Sequence, residues 1–159
     1  MIVYHGSVIK IDKPDVRHSL RALDFGKGFY VTTNLHQAEQ WARRKALILG
    51  RGQPMINVYQ LSENSDGLCW KTFDDHLDEW IDFVCACRNG EEIYKVYDLI
   101  TGKVANDRVF RVVDMYRSGE WDRERALREI RAYPDYDQTA LITQRAIDQL
   151  LVFEEYREV

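Results

Sequence analysis

Apolar and polar positions along the chain predict a mixture of short strands and helices. Ile2 to Tyr4 form a brief apolar run that ends at His5-Gly6-Ser7, a first strand closing on a polar, tightly turned end. Pro14 marks a loop, and His18 to Leu23 predict a short helix. Gly26 and Gly28 then open a turn into the strand Phe29-Tyr30-Val31-Thr32, rich in aromatic and β-branched residues. From the cap residue Asn34, the positions Leu35, Ala38, Trp41, Ala42, Ala46 and Leu49 recur at helical spacing until Gly50 and Gly52.

The second half continues the mixture. Ile56 to Leu61 alternates as a strand does, Ser62 to Gly67 is turn chemistry, and Leu68 to Phe73 predicts the returning strand of a hairpin. Asp74-Asp75 caps a helix burying Leu77, Trp80, Ile81 and Val84. Asn89-Gly90 is a turn, and Val96 to Ile100 predicts a buried strand ending at Thr101-Gly102. Helices are expected over 107–116 and 122–130, then a strand over 140–142, a helix over 144–150 and a last strand over 151–153. Strands and helices mix without regular βαβ alternation, which predicts an α+β fold rather than a doubly wound parallel sheet.

Composition narrows the function classes. A chain of 159 residues fits one domain spanning 1–159. Its 45% hydrophobic and 30% charged residues describe an ordered globular protein. The formal charge of −4, from 26 acidic and 22 basic side chains, argues against unaided electrostatic binding to nucleic acid. Three cysteines, together with a start that has no basic segment followed by an apolar one, predict a reducing, cytoplasmic setting. No apolar run is long enough to span a bilayer, and no membrane partner is expected.

Most candidate motifs favour their bland reading. The Gly26-Lys27-Gly28 turn matches neither a P-loop nor a dinucleotide fingerprint, because its glycines open a strand. Cys85 and Cys87, with Cys69 and His76 upstream, match no zinc spacing, so structural thiols and no metal are expected. The arginines between Arg108 and Arg131 are interleaved with Asp114, Glu120, Asp122, Glu124 and Glu129, the pattern of a solvated helical pair. A glycine turn opening onto a strand with an exposed aromatic, Tyr30, is a suitable grip for a flat, charged small molecule.

Three features stand in order: His5-Gly6-Ser7, the block Phe25 to Tyr30, and Asp137-Gln138 opening a late strand. That trio resembles the His-Tyr-Glu branch of the ADP-ribosyltransferase superfamily, which includes diphtheria toxin and the poly(ADP-ribose) polymerases. The chain is more closely similar to a bacterial family of unknown function assigned to that superfamily. The shared pattern is carried by Tyr4 to Ser7, Asp24 to Thr32, Gly102 to Asp107 and Gln138.

The resemblance implies a split β-sheet core with flanking helices and NAD as co-substrate. It implies that His5 hydrogen-bonds a ribose hydroxyl, that Gly6 offers backbone groups to the nicotinamide amide with Ser7 also on the cofactor side, and that Tyr30 stacks on the nicotinamide ring. Lys27, Gly28, Phe29 and Thr32 would complete the cofactor side, with Asp24, Asn106 and Asp107 in support. Gln138 stands where the superfamily has its catalytic glutamate. It can accept a hydrogen bond but carries no charge and cannot act as a base. The implied activity is mono-ADP-ribosylation of an unknown acceptor, by the toxin of a bacterial toxin–antitoxin pair restrained by a small antitoxin protein. NAD hydrolysis and catalytically silent NAD binding are the alternatives.

Overall fold

A computed structural model of the chain describes residues 1–105, 107–133 and 136–159, the Asp107 side chain excepted. The expected supporting roles of Asn106 and of the Asp107 side chain lie outside the described residues. In chain order the elements are β1 (Ile2–Ser7), β2 (Phe29–Val31), α1 (Leu35–Leu49), β3 (Met55–Leu61) and β4 (Trp70–Thr72). They continue with α2 (Leu77–Arg88), β5 (Leu99–Lys103), α3 (Asp107–Arg117), α4 (Arg123–Arg131), β6 (Asp137–Leu141), α5 (Gln144–Leu150) and β7 (Leu151–Glu158).

The strands form two sheets, ordered β1-β3-β7 and β2-β6-β5-β4. The first is antiparallel throughout, and in the second only β4 and β5 run parallel. The sheets meet at one residue pair, where the Tyr4 N–H donates to the Thr32 carbonyl at 2.8 Å and the Thr32 N–H donates back at 3.0 Å. This is an α+β fold with a split sheet.

Local chemistry explains the firmest elements. The Asn34 side chain accepts from the Gln37 N–H to cap α1, and Gly50 ends the helix in the left-handed conformation at φ 63°. Thr143 caps α5 in the same manner through the Ala146 N–H. α1 covers one face of the first sheet through Ala38, Ala42, Ile56 and Val58. α2, α3 and α4 bury the outer face of the second sheet around Phe25, Phe73, Trp80, Ile100 and Val113. A further apolar layer contains Val3, Phe29, Val31, Tyr59, Leu141 and Leu150.

Several sequence expectations need correction. The helix expected over 18–23 is a single 3-10 turn at Val16–His18, capped by Asp15. The residues after the Ser62 to Gly67 turn do not return against β3; β4 lies in the other sheet, with Trp70 opposite Leu99. The strand expected from Val96 begins at Leu99, after a 3-10 turn over Ile93–Val96. His76, not Asp74 or Asp75, occupies the N-cap of α2, and it makes no side-chain cap bond. The last strand runs on to Glu158 because it pairs along all of β3.

Candidate functional site

The split between the sheets is built from backbone geometry. In an antiparallel ladder, successive residues turn their N–H and C=O groups to opposite neighbours. The Tyr4 groups bond Thr32, so those of Gly6, two residues on, also turn away from β3 and toward β2. A continued ladder would pair Gly6 with Tyr30. Instead the Tyr30 carbonyl accepts from Nδ1 of His5 at 2.6 Å. The strands therefore part at Gly6, leaving its N–H and carbonyl facing the gap without the partner that a continued ladder would supply.

His5 is held in one state. A carbonyl can only accept, so Nδ1 carries the proton and Nε2 keeps its lone pair. The ring stacks on Phe29 at 4.4 Å between centroids. Burial pushes its pKa down to about 4, the Tyr30 carbonyl opposes that shift, and the Lys45 charge adds to it. At neutral pH, His5 is an oriented, neutral hydrogen-bond acceptor. Beside it, the Ser7 hydroxyl is buried without a hydrogen-bond partner, a polar atom in want of one.

Gly6 is required by packing. A Cβ there would stand 2.2 Å from the Ala38 carbonyl oxygen and 2.7 Å from the Ala42 amide nitrogen of α1. Trp41 borders the same position, with its Cβ 3.0 Å away, and is half-buried. Its helical spacing marked Trp41 for the core and gave no sign that it would flank Gly6.

Tyr30 is not the exposed aromatic expected from the sequence. It is 6% exposed, and its ring belongs to the core under the helices. Its hydroxyl donates to the Gly26 carbonyl at 2.6 Å and accepts from the Phe25 N–H at 3.0 Å. β2 is covered on both faces, so Tyr30 serves the gap through its backbone while its side chain braces the glycine turn. Thr32 is similarly committed: its hydroxyl accepts from the Asn34 N–H and donates to Asp137. Gly28 packs against β6, and its N–H donates to the Ser19 hydroxyl. Lys27 is exposed and its charge reaches Glu92.

Gln138 is buried and its orientation is determined. Its Nε2 donates to Asp24 Oδ2 at 2.9 Å and to the Lys103 carbonyl at 3.2 Å. Two acceptors can face only the NH2 end of the amide, which turns the carbonyl away from them. Asp24 also accepts from the Ala105 N–H at 2.8 Å and from both Nε and Nη2 of Arg88. The neighbouring acid, Asp137, is occupied by Thr32 and Thr33. Gln138→Glu would set a second carboxylate against Asp24 with no donor between them. It is expected to lower stability at neutral pH by about 1–3 kcal/mol. The loss shrinks on acidification toward the ordinary glutamate range near about pH 4, since the buried acid has a folded-state pKa above its unfolded one. Urea melts at several pH values measure it.

The cysteines form no disulfide. Cys85 and Cys87 are buried, and burial pushes both thiols up, Cys87 to about 12. Among the described residues no group of three or more His, Cys, Asp or Glu side chains is placed to hold a metal. Two open depressions, of about 570 Å³ beside Asp78 and Arg123 and about 330 Å³ beside Tyr4 and Glu155, share none of His5, Gly6, Ser7 or Tyr30.

A family model described as a protein of unknown function (DUF3990) matches residues 1–153. The chain belongs to this family. No curated protein and no solved structure matches it. The DUF3990 match covers β1 to β6 and the start of β7, and with them His5, Gly6, Ser7 and Tyr30.

Proposed function

We propose that this DUF3990 chain is an NAD-dependent mono-ADP-ribosyltransferase, the toxin of a toxin–antitoxin pair with a small antitoxin protein as partner. The observation that carries the enzymatic reading is the parting of β1 and β2 at Gly6, beside a neutral, oriented His5. The toxin role rests on the sequence resemblance. NAD fits the residues present: the Gly6 N–H and carbonyl complement a carboxamide, the partnerless Ser7 hydroxyl adds a third polar group, and Nε2 of His5 accepts from a ribose hydroxyl.

NAD supplies an N-glycosidic bond whose heterolysis releases nicotinamide and leaves oxocarbenium-like charge on the ribose. The chain's contribution is positional. Gly6 and Ser7 would fix the leaving group and His5 the ribose, while Gln138, bonded to Asp24 and the Lys103 carbonyl, adds no charge. A nucleophile of the acceptor forms the new bond to the anomeric carbon, and its proton passes to solvent because Gln138 cannot take it. The bond from Gln138 to Asp24 favours a second reading, NAD binding with hydrolysis or with no turnover, since it spends the amide on structure.

The test is incubation with NAD labelled in its adenylate half, with cell lysate as acceptor. Nicotinamide release and labelled macromolecule are expected, and His5→Ala should lower both by about a hundredfold. Release without labelled macromolecule identifies a glycohydrolase. Calorimetric NAD binding without release identifies a silent module, and neither binding nor release refutes the assignment.

A further inference from the structure

The last two turns of α1 carry most of the exposed apolar surface of that helix. The helix buries Gln37, Ala38 and Ala42, and none of residues 43–49 is buried. Leu47, Ile48 and Leu49 are 82%, 71% and 49% exposed. Arg43, Arg44 and Lys45 are exposed one turn earlier, and Arg51 follows the Gly50 stop. No acidic residue occurs between Glu39 and Glu63, although the whole chain carries −4.

The arrangement is layered along the helix axis. At about 100° per residue, three consecutive residues sweep an arc of about 200°, so the aliphatics ring the tip instead of lining one face. A partner's groove reads a helix face at i, i+3, i+4 and i+7, and that pattern is not what Leu47 to Leu49 present. The cations at 43–45 form a second arc four residues back, about 6 Å up the axis at 1.5 Å per residue. With the tip entered end-on, that offset keeps the cations at the level of the headgroups.

We propose that the C-terminal tip of α1 docks end-on onto an anionic membrane surface. Leu47, Ile48 and Leu49 enter the headgroup–acyl boundary, while Arg43, Arg44, Lys45 and Arg51 meet lipid phosphates. Among the described residues no helix is long and apolar enough to cross a membrane. The sequence expectation of no membrane partner rested on that spanning criterion, which does not detect a surface contact. The inference is independent of the NAD reading.

The test floats the full chain with phosphatidylcholine vesicles, with and without a one-third share of phosphatidylglycerol. Binding to the anionic vesicles is expected to exceed binding to the neutral ones at least about tenfold and to weaken in high salt. Leu47→Asp with Ile48→Asp, and separately Arg43→Glu with Arg51→Glu, should each lower it about tenfold. Thermal melts of these variants should match the parent, because the residues are unpacked. Absence of binding by the parent chain, or binding unchanged in both double variants, overturns the proposal. So does a self-dimer or a complex with an acidic protein that depends on these residues while vesicle binding is absent.

Discussion

Asp24→Ala is expected to destabilise the fold by about 3–5 kcal/mol, the cost of stripping one partner from a buried ion pair. Asp24 is 4% exposed and is the common acceptor for Arg88, the Ala105 N–H and the Gln138 amide. Its loss takes this acceptor from Arg88 and the Ala105 N–H and leaves the Gln138 amide with the Lys103 carbonyl. The Arg88 guanidinium would remain charged and largely enclosed, lying over the Phe110 ring at 3.8 Å. With folded domains typically stable by only about 5–15 kcal/mol, urea denaturation should show a large drop in midpoint. Asp24→Ala combined with Arg88→Met should recover part of the loss, because replacing both charges removes the unpaired ion. A double variant no more stable than Asp24→Ala would show that the charge of Arg88 is not the source of the penalty.

Gly6→Ala is expected to cost about 3 kcal/mol, at the upper end for one added methyl group. The new methyl would meet backbone atoms of α1 at 2.2 and 2.7 Å, and helix backbone cannot swing aside as a side chain can. Relief requires the whole helix to lift from β1. That motion would disturb Lys45 and Trp41, which border His5 and Gly6, so the proposed NAD binding should fall together with the melting temperature. Calorimetry and a thermal melt on one preparation check both. Retention of full stability would mean that α1 rides on β1 more loosely than these contacts imply.

Elements closed by local chemistry were legible in the sequence. Asn34 and Gly50 delimit α1, and the 144–150 helix falls where its spacing places it. Pairings between distant segments were not legible. The turn over 62–67 suggests a hairpin, yet β4 finds its partner in Leu99 to Thr101, a parallel pairing that no local signal encodes. The candidate site divides in the same way. His5 and Gly6 stood out as a motif, whereas the burial of Tyr30 did not. Period-2 reasoning assumes one wet face, and Phe29, Tyr30 and Val31 are all buried because both faces of β2 are covered. The position of Asp24 at the centre of three donor groups depends on Arg88, 64 residues away, and on Gln138, 114 residues away. A single sequence cannot reveal such an arrangement.

The route of the chain between the two sheets has a consequence for how the molecule folds. It enters the first sheet at β1, leaves for β2, returns at β3, crosses again for β4 to β6, and comes back at β7. Neither sheet is contiguous in sequence, and the first is completed only when residues 151–158 arrive. Its pairing of β1 with β3 closes a loop of about 50 residues, so loop-closure entropy is spent before the first sheet gains its contacts. No half of the chain holds a finished sheet. The molecule is therefore expected to unfold in one cooperative step, and a fragment cut between β2 and β7 is expected to leave an unpaired strand edge exposed to neighbouring molecules.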